Sequence, residues 1–229
     1  MRYCGGKSNI KKDLWEILNK ETKGRVFVDL FCGACNIVEG IKATKRIAND
    51  NNPYLIALLK AVQEGWIPPD TVTEGMYYKA MNYEYYDALN GFILIGCTFG
   101  GGFRNGFARD AEGRNYARVC KESLLRQKPK LVGVEFSCND YREVDIPDGA
   151  VVYCDIPYKG KRNHYYSSRF DYDAFYEWVD KNKHRLKIFI SEYKENENPN
   201  WETVYERKSK STIYREESKP TTEILQLVK

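Results

Sequence analysis

Four residues, Asp155-Ile156-Pro157-Tyr158, follow directly on the apolar run Val151–Cys154. An apolar run of this length predicts a buried strand, so the carboxylate of Asp155 is expected at the carboxyl end of a strand. The carboxyl edge of an open sheet is where ligands bind, and an acid beside an aromatic ring can accept hydrogen bonds from a bound ligand. The same four residues also suit an ordinary turn with a proline, and on the tetrapeptide alone this alternative stays open.

A second acidic strand end precedes a turn that contains glycine. The apolar run Val26–Leu30 includes Asp29, and Cys32-Gly33-Ala34-Cys35 follows soon after it. Small residues at such a turn let the backbone approach a ligand closely. One glycine is not a dinucleotide-binding fingerprint, however, and an ordinary strand-to-helix turn looks alike.

A third acidic residue, Asp50, ends the next apolar segment, Arg46–Asp50. A carboxylate about 20 residues after the first turn commonly binds ribose hydroxyls. The alternative role is that of a helix N-cap, which Asn51 and Asn52 could also fill.

The elements that must position these acids alternate between strand and helix. Ser8 is predicted to cap a first helix, which Gly24 ends. The strand at 26–30 is followed by a helix-like stretch from Asn36 to Ala43, and the strand at 46–50 by a helix from Pro53 to Gly65. Two such units in about 40 residues predict an α/β fold with a doubly wound, mostly parallel sheet.

The alternation stops at Ile67-Pro68-Pro69, where a region rich in Tyr, Gly and Arg begins. We interpret residues 66–130 as an inserted, mainly helical and loop subdomain, and residues 1–65 and 131–229 as one domain. Further strands are predicted at 131–136, 150–154 and 186–190, with a helix at 172–183. Residues 203–228 alternate polar and apolar side chains and predict an antiparallel hairpin.

Composition excludes several classes of protein. The chain of 229 residues has no apolar run approaching the roughly 18 that cross a bilayer, and it begins with a polar segment, so we expect a soluble cytoplasmic protein without membrane association. The seven cysteines are odd in number and scattered, which favours reduced thiols. Cys32 and Cys35 have no second cysteine pair, and His164 and His184 show no ligand spacing, so no metal site is expected.

Five elements in this order resemble the Dam-type DNA adenine methyltransferases, over nearly the full chain. The family has a Tyr-x-Gly-Gly-Lys element, an Asp-x-Phe-x-Gly-x-Gly turn, a second acidic strand end, an Asn-Asp-Tyr/Phe element and an Asp-Pro-Pro-Tyr tetrapeptide. The matching residues here are Tyr3–Lys7, Asp29–Cys35, Asn49-Asp50, Asn139–Tyr141 and Asp155–Tyr158. Two positions depart from the pattern: Cys35 replaces the last glycine of the turn and Ile156 replaces the first proline of the tetrapeptide.

The resemblance implies methyl transfer from S-adenosylmethionine, which becomes S-adenosylhomocysteine, to the exocyclic N6 amine of adenine. Asp155 and the backbone carbonyl of Ile156 would each accept one hydrogen of the amine and oppose the positive charge that develops on its nitrogen. The target base must leave the duplex, and Tyr158 offers a ring on which it can stack. The implied catalytic residues are Asp155, Ile156, Pro157, Tyr158 and Lys7.

The same resemblance implies a class I methyltransferase fold and a cofactor site at the strand ends. Lys7 would lie near both adenine and cofactor, Phe31 against the cofactor, Asp50 at its ribose, and Asp140 and Tyr141 beside its adenine ring. The expected cofactor-binding residues are Tyr3, Lys7, Asp29, Phe31, Cys32, Gly33, Ala34, Asn36, Asp50, Asn51, Asp140, Tyr141 and Asp155.

The distribution of charge suggests double-stranded DNA as the partner. Residues 104–130 contain eight bases and three acids, a net charge of +5, and residues 159–169 contain four bases and no acid. Part of this charge suits an ordinary solvated helix face. Residues 66–130 would be the target-recognition subdomain, in which the flexible loop 99–109 enters a groove or only touches phosphates. The expected DNA-binding residues are Arg104, Asn105, Arg109, Arg114, Arg118, Lys159, Lys161, Arg162, Tyr165 and Tyr166.

Other functions remain open. One alternative is that isoleucine in place of proline at position 156 abolishes catalysis, which would leave a protein that binds S-adenosylmethionine and DNA without modifying them. A methyltransferase acting on RNA or on a protein amide can use a similar tetrapeptide. A nicotinamide-dependent oxidoreductase would need a glycine-rich dinucleotide turn, which the sequence lacks.

Overall fold

The fold is built on one seven-stranded sheet. The computed structural model describes residues 1–109, 111–159, 170–209 and 221–229. The strands are β1 (Val26–Asp29), β2 (Lys45–Asn49), β3 (Val134–Ser137), β4 (Val151–Cys154), β5 (Lys187–Tyr193), β6 (Glu202–Ser209) and β7 (Thr221–Leu227). Their order is β3-β2-β1-β4-β5-β7-β6. Strands β1 to β5 are parallel, whereas β7 lies antiparallel between β5 and β6. This arrangement confirms the predicted doubly wound, mostly parallel sheet and its C-terminal hairpin.

The order of the strands predicts where on the sheet a ligand would bind. The chain runs outward from β1 to β3 on one side and from β4 to β5 on the other, so the direction of winding reverses between β1 and β4. Parallel sheets bind ligands in the crevice at the carboxyl ends of the strands beside such a reversal. Asp29 ends β1 and Asp155 follows β4, which puts both carboxylates at this crevice.

The helices cover both faces of the sheet and supply the insertion. They are α1 (Lys11–Glu21), α2 (Pro53–Glu64), α3 (Glu74–Asn82), α4 (Ala88–Gly91), α5 (Tyr116–Leu131) and α6 (Tyr172–Asn182). The helix predicted from Pro53 is confirmed as α2. Asn52 caps it by accepting hydrogen bonds from the first two free N–H groups, and Gly65 ends it in the left-handed region at φ 113°. Asp50 is therefore not its N-cap.

Two local predictions are wrong. Helix α1 begins at Lys11, and Ile10 rather than Ser8 precedes it without a side-chain cap. The helix predicted from Asn36 to Ala43 is a single 3-10 turn at Val38–Gly40. Its backbone groups are taken by tertiary partners, because Trp15 Nε1 donates to the Ile37 carbonyl at 2.8 Å and Asn19 Nδ2 donates to the Gly40 carbonyl at 3.1 Å.

Parts of the 66–130 stretch pack on the body of the protein. Phe92–Ile95, a short π-helical stretch after α4, is buried against α2 and the sheet-side core. Helix α5 runs unbroken to Leu131 and buries one side against the same helix. The division of the chain at residues 65 and 130 stays a proposal.

Alternation along the strands divides the core in two. Phe27 packs on one face of the sheet with residues of α1 and α2, whereas its neighbour Val28 packs on the other face with residues of α6. The period of two residues along a strand requires this split. No helix in the described parts of the chain is long and apolar enough to cross a membrane.

Candidate active site

A cavity opens at the carboxyl ends of β1, β2 and β4. It is lined by all of the residues that the resemblance assigned to the cofactor, which are Tyr3, Lys7, Asp29, Phe31, Cys32, Gly33, Ala34, Asn36, Asp50, Asn51, Asp140, Tyr141 and Asp155. Residues from five separate parts of the chain therefore meet at one site. Their individual roles stay predictions.

Asp29 presents a buried carboxylate to this cavity. Its Oδ2 accepts a hydrogen bond from Val38 N–H at 3.3 Å, whereas its Oδ1 is buried and has no hydrogen-bond partner among the described residues. Burial raises the pKa of Asp29, and the nearby Asp155 carboxylate raises it further. An unpartnered buried acceptor of this kind suits a ligand with a positively charged hydrogen-bond donor.

Asp50 holds the glycine turn from the neighbouring strand end. Gly33 N–H donates to its Oδ2 and Asn52 N–H donates to its Oδ1, both at 3.0 Å. Burial raises the pKa of Asp50 to about 6, although these two bonds oppose the rise. Each carboxylate oxygen keeps a free lone pair, so Asp50 can bind the turn and a ribose hydroxyl together.

The turn itself departs from the family pattern at a strained position. Cys35 has φ 59°, in the left-handed region where glycine is favoured. A side chain there costs roughly 1–2 kcal/mol. The Cys35 side chain is fully buried in the core, which offsets part of that cost.

The described residues contain no group of three or more His, Cys, Asp or Glu side chains that could hold a metal.

Aromatic rings form one wall of the cavity. The ring of Phe31 lies 5.6 Å from that of Tyr141 and 5.8 Å from that of Phe170, and all three line the cavity. Phe175 and Trp178 of α6 support them from behind. Such a wall suits the flat face of a purine ring.

Asp155 is paired with Lys7. Lys7 Nζ lies 2.6 Å from Asp155 Oδ1, and it also donates to the Gly5 carbonyl at 3.2 Å. Burial by itself would lower the pKa of Lys7, but the Asp155 carboxylate outweighs this effect and raises it, so the ammonium stays charged. Burial raises the pKa of Asp155, and Lys7 opposes that rise. The pair is thus a buried carboxylate held beside a fixed cation.

The rest of the tetrapeptide divides between cavity and core. Pro157 lines the cavity, whereas the side chain of Ile156 is buried in the core on the α6 side of the sheet. The ring of Tyr158 packs edge-on against Tyr193 at 4.4 Å, and Lys7 Nζ lies 4.6 Å from its centroid. The Tyr158 hydroxyl is buried without a hydrogen-bond partner in the described parts of the chain.

Two acids near this site were missed from the sequence. Glu192 lies in β5, two residues beyond the predicted end of that strand, and its buried carboxylate accepts a hydrogen bond from Lys159 N–H at 3.5 Å. Glu223 on β7 pairs with Tyr193 across the sheet, where burial raises its pKa and Lys7 opposes the rise. An acid at the end of a predicted strand was the available signal for Glu192. No local signal marks Glu223, because the antiparallel register alone brings it here.

The N-terminal element lies between the loop 99–109 and the cofactor turn, Asp29–Cys35. Cys4 N–H donates to the Gly101 carbonyl at 3.1 Å. A Cβ on Gly101 would lie 2.7 Å from the Arg2 carbonyl oxygen, and one on Gly33 would lie 3.0 Å from the Tyr3 ring. The loop therefore packs on Arg2, Tyr3 and Cys4, and the turn packs on the Tyr3 ring in the same N-terminal segment.

Three of the predicted DNA-binding residues, Arg104, Asn105 and Arg109, belong to this loop. Arg104 has φ 54° and packs over the rings of Tyr54 and Phe103, and Asn105 Nδ2 donates to the Phe99 carbonyl at 3.0 Å. Neither side chain is freely extended into solvent. Lys161, Arg162, Tyr165 and Tyr166 lie outside the described residues.

Three of the remaining bases form ion pairs at the surface, and the fourth, Lys159, lies over an aromatic ring. Arg109 pairs with Glu74, and Arg118 lies 3.7 Å from Glu122. Arg114 lies 3.9 Å from Glu112, and Lys159 Nζ lies 5.8 Å from the ring centroid of Tyr172. Exposed pairs of this kind contribute about 0–1 kcal/mol, so these side chains can exchange their acids for phosphates.

Residues 3–112 match the model of the D12 class N6 adenine-specific DNA methyltransferase family. The matched part includes the N-terminal element Tyr3–Lys7, the turn Asp29–Cys35 and Asp50, and it ends before Asp155–Tyr158. The resemblance that the sequence indicates is confirmed over this part of the chain. No protein of curated function matches the sequence.

Several solved structures are similar in architecture. A conserved hypothetical protein of Streptococcus pyogenes is 8% identical, with a TM-score of 0.43 over 96% of this chain and 95% of that chain. The rRNA methyltransferase aviRa of Streptomyces viridochromogenes is 9% identical, with a TM-score of 0.43 over 95% and 83%. The tRNA (m1A58) methyltransferase TrmI of Aquifex aeolicus is 11% identical, with a TM-score of 0.36 over 96% and 69%. At this level of similarity nothing follows about substrate.

Proposed function

We propose that this chain, which matches the D12 class family over residues 3–112, transfers a methyl group from S-adenosylmethionine to the N6 amine of adenine in double-stranded DNA. The observation that carries the proposal is the position of the Lys7–Asp155 pair, at the end of β4 and on the wall of the cavity formed by the cofactor turn. Methyl donor and acceptor would meet there.

The charge of the cavity supports S-adenosylmethionine as its ligand. Among the residues that the structure describes, five acidic side chains line it, Asp29, Asp50, Asp140, Asp155 and Asp171, against two basic ones, Lys7 and Arg142. This excess of acids favours a ligand with a sulfonium and an ammonium group, and the free Oδ1 of Asp29 suits the ammonium. A dinucleotide would bring a negatively charged pyrophosphate to the same acids, which disfavours the oxidoreductase alternative.

The bound cofactor supplies an electrophilic methyl group, and the chain orients the amine that attacks it. Asp155 accepts one amine hydrogen and the Ile156 carbonyl accepts the other, which aims the nitrogen lone pair at the methyl. Both acceptors stabilise the positive charge that grows on the nitrogen as the bond forms. Lys7 holds Asp155 in its charged form before the amine arrives, because the ammonium offsets the cost of burying the carboxylate.

Tyr158 supplies the surface on which the flipped adenine stacks. Lys7 Nζ lies over this ring, so the base must take the opposite face or displace the ammonium. A cation over an aromatic ring contributes about 0.5–2 kcal/mol, and base–aromatic stacking contributes about 1–3 kcal/mol. Stacking can therefore replace the Lys7 contact.

We assign target recognition to residues 66–130 and in particular to the loop 99–109. Gly101 binds the N-terminal element that carries Lys7, which places this loop beside the entrance to the site. Phosphate contacts would come from the paired surface arginines Arg109 and Arg118, since exposed ion pairs are readily exchanged.

The test is methyl transfer by the purified protein from labelled S-adenosylmethionine, with mass spectrometry of the digested nucleosides. Wild-type protein is expected to form N6-methyladenine in duplex DNA. Asp155→Ala should retain less than about a tenth of the turnover and bind S-adenosylmethionine within an order of magnitude, because the acceptor acts mainly in the transition state. The matched control is Asp148→Ala, an exposed acid that pairs with Arg185 near the opposite ends of the strands.

Parallel reactions with RNA and with a glutamine-containing peptide separate the other substrates. Methylation of either one, with unmodified DNA, would replace the proposed substrate. A protein that binds S-adenosylmethionine and DNA but modifies none of the three would be the degenerate binding protein. More than about a tenth of wild-type turnover in Asp155→Ala would remove Asp155 from the mechanism.

A further inference from the structure

The tetrapeptide Asp155–Tyr158 lacks the proline that its family has at position 156. A proline there would fix its own φ near −65°. Pro157 still restricts the preceding residue to extended conformations, and its own ring fixes its own φ. The angles left open are φ of Ile156 and ψ of Pro157, and they decide where the Ile156 carbonyl and the Tyr158 ring point.

Burial restricts the first of these angles. The side chain of Ile156 is 2% exposed and packs in the core between the sheet and α6. A β-branched side chain held on all sides cannot rotate without moving its neighbours.

A tyrosine outside the motif restricts the second angle. Tyr172 Oη donates a hydrogen bond to the Pro157 carbonyl at 2.9 Å, in a partly buried setting. Tyr172 is the first residue of α6, whose start is held by Asp171, with Oδ1 accepting from Ala174 N–H at 3.0 Å. Its ring packs edge-on against Phe170 at 5.1 Å. The hydroxyl thus reaches the tetrapeptide from a fixed point.

The far end of the tetrapeptide is tied to β5. Glu192 Oε2 accepts from Lys159 N–H, and Asn196 Nδ2 donates to the Lys159 carbonyl, both at 3.5 Å. Glu192 Oε1 in turn accepts from Tyr193 N–H at 2.7 Å. The two hydrogen bonds of 3.5 Å are weaker than the bond from Tyr172, but they hold Lys159, which follows the tetrapeptide, close to Glu192 and Asn196.

We propose that Tyr172 is a positioning residue, and that its hydroxyl, together with Glu192, holds the Pro157 carbonyl and hence the Tyr158 ring in place, a restraint that a proline at position 156 would not itself provide. Tyr172 touches neither substrate nor cofactor in this role and acts through the Pro157 carbonyl. The catalytic part of the inference rests on the proposed function, whereas the restraint itself does not.

The test compares Tyr172→Phe with Tyr172→Phe/Ile156→Pro. Tyr172→Phe removes one hydroxyl and should lower kcat about tenfold, with KM for S-adenosylmethionine within about twofold of wild type. Adding Ile156→Pro should restore less than about twofold of that loss, because proline fixes φ of residue 156 and leaves ψ of Pro157 free. No backbone hydrogen bond of Ile156 N–H is formed with the described residues, so proline removes none. Tyr176→Phe, one turn later in α6, is the matched control.

A second measurement does not need activity. Hydrogen–deuterium exchange of residues 155–159 should be faster in Tyr172→Phe than in wild type and in Tyr176→Phe, and should stay faster in the double variant. Unchanged exchange in Tyr172→Phe overturns the restraint, whatever the rate of methyl transfer. A wild-type protein with the expected exchange pattern but no methyl transfer contradicts only the proposed function. Restoration of both exchange and kcat by Ile156→Pro would show that the restraint acts on φ of residue 156, and it would overturn the assignment to the Pro157 carbonyl.

Discussion

At the scale of single residues, the site gathers three carboxylates, Asp29, Asp50 and Asp155, around a single ammonium, that of Lys7. Burying like charges together costs folding free energy, and here burial raises the pKa of all three acids. Among the described residues, only Asp155 of these three has a cation within hydrogen-bonding distance. We infer that the other two are kept for a cationic and hydroxyl-bearing ligand rather than for stability.

Asp50 gives this arrangement a pH dependence. Its pKa in the folded chain is about 6, above the ordinary 3.8, so the stability linked to this group is full below the unfolded value and is lost as pH rises through about 6. Asp50→Asn should therefore become more stable relative to wild type between pH 4 and pH 7, by about 2–3 kcal/mol. Urea unfolding at both pH values measures this.

The control for that comparison is Asp148→Asn, which changes an acid 82% exposed. An equal trend with pH in the control, or a relative stability of Asp50→Asn that stays constant with pH, would contradict the assignment to Asp50.

Tyr158 tests whether ring or hydroxyl matters. Its hydroxyl is buried without a hydrogen-bond partner in the described part of the chain, so Tyr158→Phe removes no internal bond. We expect Tyr158→Phe to keep turnover within about threefold and Tyr158→Ala to lose more than about tenfold, since base stacking contributes about 1–3 kcal/mol. Steady-state methylation of duplex DNA distinguishes the two. Equal losses in both variants would mean that the hydroxyl contacts the substrate.

At the scale of elements, the site depends on loops that hold one another in place. The N-terminal element lies between the cofactor turn and the loop 99–109, and Gly33 and Gly101 are the points of closest approach. A ligand that binds at one loop should therefore change the affinity of the other loop for its own ligand. DNA and cofactor are expected to bind with positive coupling.

Neighbouring glycines make this testable. Gly100 and Gly101 both have positive φ, 67° and 74°, but a Cβ on Gly100 meets open space whereas one on Gly101 meets the Arg2 carbonyl. Gly100→Ala should cost about 1 kcal/mol of stability through backbone strain alone. Gly101→Ala should cost more and should weaken S-adenosylmethionine binding, as measured by calorimetry. Equal effects of the two substitutions would show that the contact between loop and N-terminal element is unimportant.

The surface arginines of the insertion are expected to act on DNA alone. Arg109 is 63% exposed and pairs only with Glu74 in the described structure, so Arg109→Ala should flatten the salt dependence of duplex binding by about 0.9 of a unit of slope. Cofactor affinity should not change. Arg104→Ala is expected to perturb the loop as well, because Arg104 packs over Tyr54 and Phe103. Arg25→Ala, near the amino ends of the strands, is the control. An unchanged slope in Arg109→Ala would remove this residue from the interface.

At the scale of the whole molecule, one ligand should stabilise the fold. A ligand at 100 times its Kd adds about 2.7 kcal/mol to the stability of the folded state. The acidic cavity predicts a rise in Tm with S-adenosylmethionine and with S-adenosylhomocysteine, and none with NAD. Scanning calorimetry with each ligand measures this. A rise in Tm with NAD would favour the oxidoreductase alternative.

The sequence by itself determined the architecture and the residues that meet at the cavity. Strand periodicity and chain order imply a doubly wound sheet, and parallel strands bring their carboxyl ends to one edge. Acids that follow separate strands, as Asp29, Asp50 and Asp155 do, must then converge. The capped helix from Pro53 to Gly65 was equally predictable, because its start and stop signals are local.

Tertiary structure alone decided the details that set the chemistry. The stretch after Cys35 is not a helix, because Trp15 and Asn19 of another element take its carbonyl groups. Lys7 meets Asp155 because the N-terminal segment folds back onto the end of β4. Tyr172 meets the Pro157 carbonyl because it lies at the start of α6. These contacts join residues far apart in the chain. Local propensity carries no information about such contacts, because their free energy arises from packing and from the register of the sheet.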